Sequence, residues 1–149
     1  MDLKYLIIHS TMTKEGRDIV LGDIISKHKN KGFSNVGYSD IIDKNGNIIN
    51  LIKYNPSGRC EDWSLGSDID KHSWHVAYIG GINKESTYLK DTRTNSQKET
   101  LEIYVKYMIK RHPNILVAGH NQFNNKSCPN FNVSDWLYDV GVKNKNIYK

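Results

Sequence analysis

The chain is poor in the features that mark several large protein classes. Its 149 residues contain no apolar run long enough to cross a membrane. The apolar stretch in residues 1–9 is too short for a signal peptide and ends in no small-residue cleavage site. It reads instead as a first core strand, which predicts cytoplasmic synthesis without a leader and no membrane insertion. Two cysteines, Cys60 and Cys128, cannot make a disulfide framework. A single bridge between them would consume a thiolate that a metal could use. Internal repeats, low-complexity tracts and linkers are missing. Lysine and arginine outnumber aspartate and glutamate by 21 to 16, a net charge of +5. Yet Lys27, Lys29, Lys31, Lys143 and Lys145 are scattered, and no basic stripe alternates with aromatics. That argues against a nucleic-acid partner. An excess of +5 would help the chain approach an anionic polymer, and it is equally ordinary in soluble proteins.

What remains is a globular composition, 38% hydrophobic and 25% charged. The length fits one domain over residues 1–149, with a core from about residue 4 to residue 142 and a polar tail after it. Residues 4–10 are rich in apolar and β-branched side chains and predict a buried strand. Residues 18–29 carry Ile19, Leu21, Ile24, Ile25 and His28 at helical spacing, with Gly32 placed to end the helix. Residues 37–43 and 47–52 flank Asn45-Gly46, a strong hairpin signal. Residues 54–71 hold Pro56, Gly58 and Gly66 and read as loop.

Residues 75–80 predict another strand. Thr94 with Gln97 forms a capping box that opens a helix over Leu101, Tyr104, Val105 and Met108. Pro113 closes that helix. Residues 115–118 predict a short buried strand. Residues 133–140 predict a last helix, capped by Asn132, stopped by Gly141 and packing Trp136, Leu137 and Val140. Strands alternating with helices imply an α/β, mixed α+β fold: a central mixed β-sheet flanked by helices.

The chemistry concentrates just after the 115–118 strand. His120 and Cys128 are an imidazole and a thiol on one short loop, with Lys126 two residues before the cysteine and Pro129 directly after it. Zinc favours this donor pair, and a catalytic zinc site needs three protein ligands and an open position. His9, at the end of another apolar strand, is the first candidate for the third ligand. Each residue has a plainer reading: a satisfied core histidine for His9, a buried histidine and an inert thiol for the loop pair.

Taken together these segments resemble the zinc N-acetylmuramoyl-L-alanine amidases of the superfamily that joins amidase-type phage lysozymes with peptidoglycan recognition proteins. The matching pieces are Ile7-Ile8-His9-Ser10, Gly37-Tyr38 with its hairpin, Tyr78-Ile79-Gly80-Gly81, Asp91-Thr92-Arg93-Thr94 with Gln97, and Val117-Ala118-Gly119-His120 with Lys126, Cys128, Pro129 and Phe131. They run in order from about residue 4 to residue 140. The resemblance implies a mixed sheet with a zinc cleft on one face, and Zn2+ held by His9, His120 and Cys128. It also implies that Tyr38 and Lys126 are the catalytic residues outside the metal sphere. The substrate would be peptidoglycan, cut at the amide between N-acetylmuramic acid and L-alanine. A monomeric phage or prophage endolysin, acting on the wall after release, is the implied setting, and an intracellular bacterial amidase acting on recycled fragments fits as well.

Chemistry agrees with those roles. Amide hydrolysis builds negative charge on the carbonyl oxygen, which a lysine ammonium can stabilise. A tyrosine hydroxyl can orient water and relay a proton. The plainer readings are a packed strand tyrosine and a solvated loop lysine. Two rival functions stand beside the enzyme: a non-catalytic peptidoglycan-binding module, and a phage regulatory protein that binds a polymerase. His28, His72, His75 and His112 are expected to lack metal roles. Asp91, Arg93 and Thr94 are expected to organise a helix start. Trp63 and Trp74 either line the cleft or pack, and residues 54–62 are a candidate part of its rim. The chain departs from many relatives at Gly66-Ser67-Asp68 and at Ser73-Trp74-His75, both beside the expected cleft.

Overall fold

A computed structural model describes residues 3–17, 37–54 and 67–149. The helix expected over residues 18–29 lies outside them, as do Trp63, Cys60 and most of the expected rim. Seven strands fall within the described residues: β1 (Tyr5–Ser10), β2 (Thr13–Lys14), β3 (Asp40–Ile42), β4 (Ile48–Asn50), β5 (Ser73–Tyr78), β6 (Gly81–Ile82) and β7 (Leu116–Gly119). Helical segments are α1 (Ser67–Asp70), α2 (Asn95–Arg111) and α3 (Val133–Asp139), with 3-10 turns at His120–Gln122 and Asn144–Asn146.

Five strands form one sheet in the order β4-β3-β5-β1-β7, and β2 pairs with β6 in a separate ribbon. Within the larger sheet β3 and β4 are antiparallel, while β5 is parallel to β3 and β1 is parallel to β5 and β7. The mixed sheet expected from the sequence is therefore present. Parallel central strands are covered on both faces and read as continuous apolar runs. Accordingly Leu6, Ile7 and Ile8 of β1 are all fully buried.

Alternation along each strand divides these residues between the two faces. Leu6, Ile8, Trp74, Val76, Ile42 and Val117 share one core cluster with Leu101, Tyr104, Val105 and Met108 of α2 and with Val133 and Leu137 of α3. The intervening residues Ile7, His9, His75 and Ala77 point to the opposite face. Burying an aliphatic side chain of this size contributes about 1.5–3 kcal/mol, so the α2 and α3 stripes anchor the sheet. The face left to His9 is the one on which chemistry can be built.

Local signals explain the elements. In the β3–β4 hairpin Asp43 accepts the Asn45 and Asn47 amides at 2.9 Å each. Gly46 takes φ +84°, a value that side chains resist. The capping box at α2 is formed: Gln97 N donates to Thr94 Oγ1 at 3.1 Å, and Thr94 N to Gln97 Oε1 at 2.9 Å. The same Gln97 amide reaches Ile42 O and Ile79 O, tying the helix start to the sheet. A polar cluster sits at the edge of this core: Tyr104 donates to Asp40 Oδ2 at 2.6 Å, Trp74 Nε1 to Tyr104 Oη at 2.9 Å, and Asn50 Nδ2 to Asp40 Oδ1 at 2.8 Å. At α3, Asn132 accepts the Asp135 amide and Gly141 ends the helix at φ +84°.

Two expectations are corrected. The segment read as loop through residue 71 ends in the helical turn α1, which delivers the buried Asp70 toward β5. The polar tail after residue 142 is docked rather than free. Asn146 donates to Pro113 O and Ile115 O at 2.9 and 2.8 Å, Ile147 bridges to Val117, and the Tyr148 ring lies 4.6 Å from that of Phe123. Its polar composition hid three residues that tie the tail to β7 and to the segment just before it.

Candidate metal centre

His9 stands at the end of β1 and His120 directly after β7, two neighbouring parallel strands. Ligands in open α/β sheets gather at the carboxyl ends of parallel strands, where loops diverge and side chains can converge. Cys128 comes back to the same place because its loop is folded onto β1 and fastened there. Asn121 N donates to Cys128 O at 2.8 Å, Tyr78 Oη to Pro129 O at 2.7 Å, and Asn130 Nδ2 to Ser10 Oγ at 3.1 Å. The fold-back is tight at Gly119. A Cβ there would stand 2.7 Å from Asn121 Oδ1 and 2.7 Å from Val133 Cγ2.

The result is a cluster of His9, His120 and Cys128 whose ligand atoms all lie within 4.8 Å of one another. Cys128 Sγ is 3.8 Å from His9 Nδ1, and the His9 and His120 ring centroids are 4.7 Å apart. Donors held at about 2.0–2.3 Å around one tetrahedral zinc are separated by about 3.3–3.6 Å, so small adjustments suffice. Two imidazoles and one thiol are a zinc donor set. His9 and Cys128 are buried, and His120 is half-buried, so the cluster meets solvent on the His120 side.

Protonation favours ligation at the imidazole. The His120 pKa is pushed down to about 4, first by burial, then by His75, with Lys126 adding to the effect against an opposing pull from Asp70. The ring is therefore neutral at physiological pH, and Asn124 Nδ2 lies 2.8 Å from its Nε2. Burial pushes the Cys128 thiol up, while the Ser10 amide, donating to Sγ at 3.2 Å, works the other way. A metal must displace that thiol proton in order to bind.

Tyr38 lies at the same place. Its ring is 5.4 Å from that of His9, and its hydroxyl donates to Ser10 O at 3.3 Å. Burial, with Cys128 adding, raises its pKa far above the ordinary phenol value, so the hydroxyl stays protonated. The plainer reading also has substance, since Tyr38 packs with Ile41, Ala77 and Ile79. Lys126 is exposed, with its amide held by Asn124 Oδ1 at 2.9 Å, and its charge is felt at His120.

Other nominations divide. Thr94 forms the α2 cap as expected, whereas Arg93 pairs with Asp91 through two contacts of 3.0 Å and lies 3.4 Å above the Phe131 ring. Trp74 packs in the core and does not line the cleft. Tyr54, the described end of the expected rim, packs on Trp74 and hydrogen-bonds His112. His75, expected to lack a metal role, is not one of the three clustered donors but stands beside one of them. Its Nδ1 lies 2.9 Å from His9 Nε2, and its Nε2 lies 3.4 Å from Asp70 Oδ1. The available signal was a histidine in the middle of a β-strand, two places from Ala77. Only the β1–β5 register, with Ile7 opposite His75, brings it to His9.

Known proteins resemble this chain in sequence and in fold. The family model for N-acetylmuramoyl-L-alanine amidase matches residues 1–131. The endolysin of Escherichia phage T7 is 23% identical over 134 residues, covering 88% of this chain and 83% of the phage protein. Among solved structures, the N-acetylmuramoyl-L-alanine amidase LysC from Clostridium intestinale superposes with a TM-score of 0.71 at 22% identity, over 95% of this chain and 87% of LysC. Bumblebee PGRP-SA superposes with a TM-score of 0.72 at 18% identity, over 99% of this chain and 85% of its own.

Proposed function

This chain belongs to the N-acetylmuramoyl-L-alanine amidase family, and from that premise we propose that it is a zinc-dependent endolysin. It hydrolyses the amide between the lactyl group of N-acetylmuramic acid and the L-alanine of the stem peptide. The observation that carries this reading is the convergence of His9, His120 and Cys128 at the ends of two parallel strands. The family and LysC are named for the N-acetylmuramoyl-L-alanine amide, and the phage T7 relative is named an endolysin, which supports this reading. In this reading the chain is one catalytic domain, acts as a monomer, and reaches the wall from the cytoplasm by release.

Held by these three side chains, zinc supplies Lewis acidity and water activation at neutral pH. His9 and His120 contribute neutral imidazoles, and Cys128 contributes sulfur steadied by the Ser10 amide. Tyr38 keeps its proton and presents a hydroxyl beside His9. There it orients the attacking water and relays a proton toward the leaving L-alanine nitrogen. Lys126, on the solvent side near His120, sets a positive charge where the scissile carbonyl oxygen gains negative charge.

Mass spectrometry of digested peptidoglycan, with and without a chelator, tests the proposal. Products should carry a free alanine N-terminus and an intact glycan, and the chelator should abolish them. Glycan or cross-bridge cleavage would move the reaction to another bond. Chelator-resistant turnover would remove zinc from the mechanism. Binding of wall fragments without release of amines would make the chain a recognition module.

A further inference from the structure

His75 and Asp70 are fully buried, lie behind His9 on the side away from Cys128, and have no part in the roles above. We propose that they form a positioning relay, Asp70–His75–His9, that sets the tautomer and angle of the His9 ligand. The proposal rests on the metal reading of the cluster.

The argument is one of lone pairs. His9 Nδ1 faces Cys128 Sγ at 3.8 Å and must offer a lone pair to bind a metal there. Its proton then sits on Nε2, which needs an acceptor, and His75 Nδ1 stands 2.9 Å away. For His75 Nδ1 to accept, its own proton must be on Nε2. The Asp70 carboxylate, 3.4 Å from that nitrogen, favours the proton there and would repel a bare lone pair. The opposite arrangement would put a proton on His9 Nδ1 and block ligation. Metal-binding histidines commonly donate their second N–H to an oriented partner, and losing the partner typically costs 10–100-fold in metal affinity.

The strands make the relay possible. His9 and His75 share a sheet face on paired parallel strands, offset by two residues, because Ile7 is opposite His75 and His9 is opposite Ala77. The turn α1 then brings Asp70 to the far nitrogen.

Zinc affinity by chelator competition, apo-protein melting temperature and the visible spectrum of the cobalt-loaded protein test it. The variants are His75→Ala, His75→Asn and Asp70→Asn. Asparagine places a carbonyl oxygen near the position of His75 Nδ1 and can accept the His9 proton. His75→Ala should lower zinc affinity 10–100-fold and alter the cobalt spectrum, and His75→Asn should recover most of the loss. Asp70→Asn, nearly isosteric, should weaken zinc about tenfold by releasing the tautomer. The relay is wrong if His75→Ala binds zinc within twofold of the native protein. It is equally wrong if alanine and asparagine lose the same affinity in step with a fall in apo melting temperature. Absence of stoichiometric zinc in the native protein would instead overturn the metal reading itself.

Discussion

Replacing Gly119 with alanine isolates the link between packing and the metal site. Gly119 has ordinary extended backbone angles, φ −90° and ψ 150°, so alanine brings no torsional strain. What it brings is contact. The new methyl would lie 2.7 Å from Asn121 Oδ1, 2.7 Å from Val133 Cγ2 and 3.2 Å from Pro129 Cδ. Val133 is buried at the start of α3, and Pro129 follows Cys128, a candidate ligand. Neither can swing away as a surface side chain would, so the 120–130 loop must lift from β7 by several tenths of an ångström. Overpacking of this kind costs about 1–3 kcal/mol. For a chain of this size that is a fall in melting temperature of about 3–10 °C.

Because His120 and Cys128 ride on the displaced loop while His9 stays on β1, zinc affinity should fall along with stability. Gly141→Ala is the control: it has φ +84° and nothing within 4 Å of a Cβ. It should cost stability through backbone strain and leave zinc binding alone. Differential scanning fluorimetry and chelator competition read both quantities. A Gly119→Ala protein that melts within 1 °C of native and holds zinc within twofold would refute the steric argument.

Tyr38→Phe and Lys126→Met should each lower turnover on peptidoglycan by about 10²-fold or more, with zinc content staying near one per chain; an emptied metal site in either variant would contradict the assigned role. Tyr104→Phe removes the 2.6 Å hydrogen bond to buried Asp40 and the acceptor for Trp74. It should cost about 1.5–3 kcal/mol in denaturant unfolding, with little change in zinc affinity. His120 has its pKa lowered to about 4 from an ordinary 6.5, so the unfolded chain takes up this proton first on acidification. The stability contribution is present above pH 6.5 and is lost as pH falls toward 4. Apo-protein melting curves should therefore fall less steeply over that window in His120→Gln than in the native chain.

Much of the fold was legible because it rests on local rules. The Thr94–Gln97 box, the Asn45-Gly46 turn and the apolar stripe of α2 are each written in a few adjacent residues, and each formed where expected. The docked tail was illegible because its partners, Pro113, Ile115 and Val117, lie some thirty residues away. Trp74 illustrates the same limit. Its type suits a sugar-binding cleft or a core equally, and strand alternation turned it onto the α2 side, against Tyr104.

Nominating His9, His120 and Cys128 as candidate donors needed only the sequence, because donor chemistry belongs to residue type. What the tertiary structure decided is the environment of those donors. Parallel register between β1 and β5 placed His75 behind His9, and α1 placed Asp70 behind His75. Burial drove His120 toward neutrality and kept Tyr38 protonated. Register, burial and hydrogen-bond direction arise from contacts between residues 28 to 119 positions apart along the chain. Apart from the short step from Asp70 to His75, no local pattern carries them.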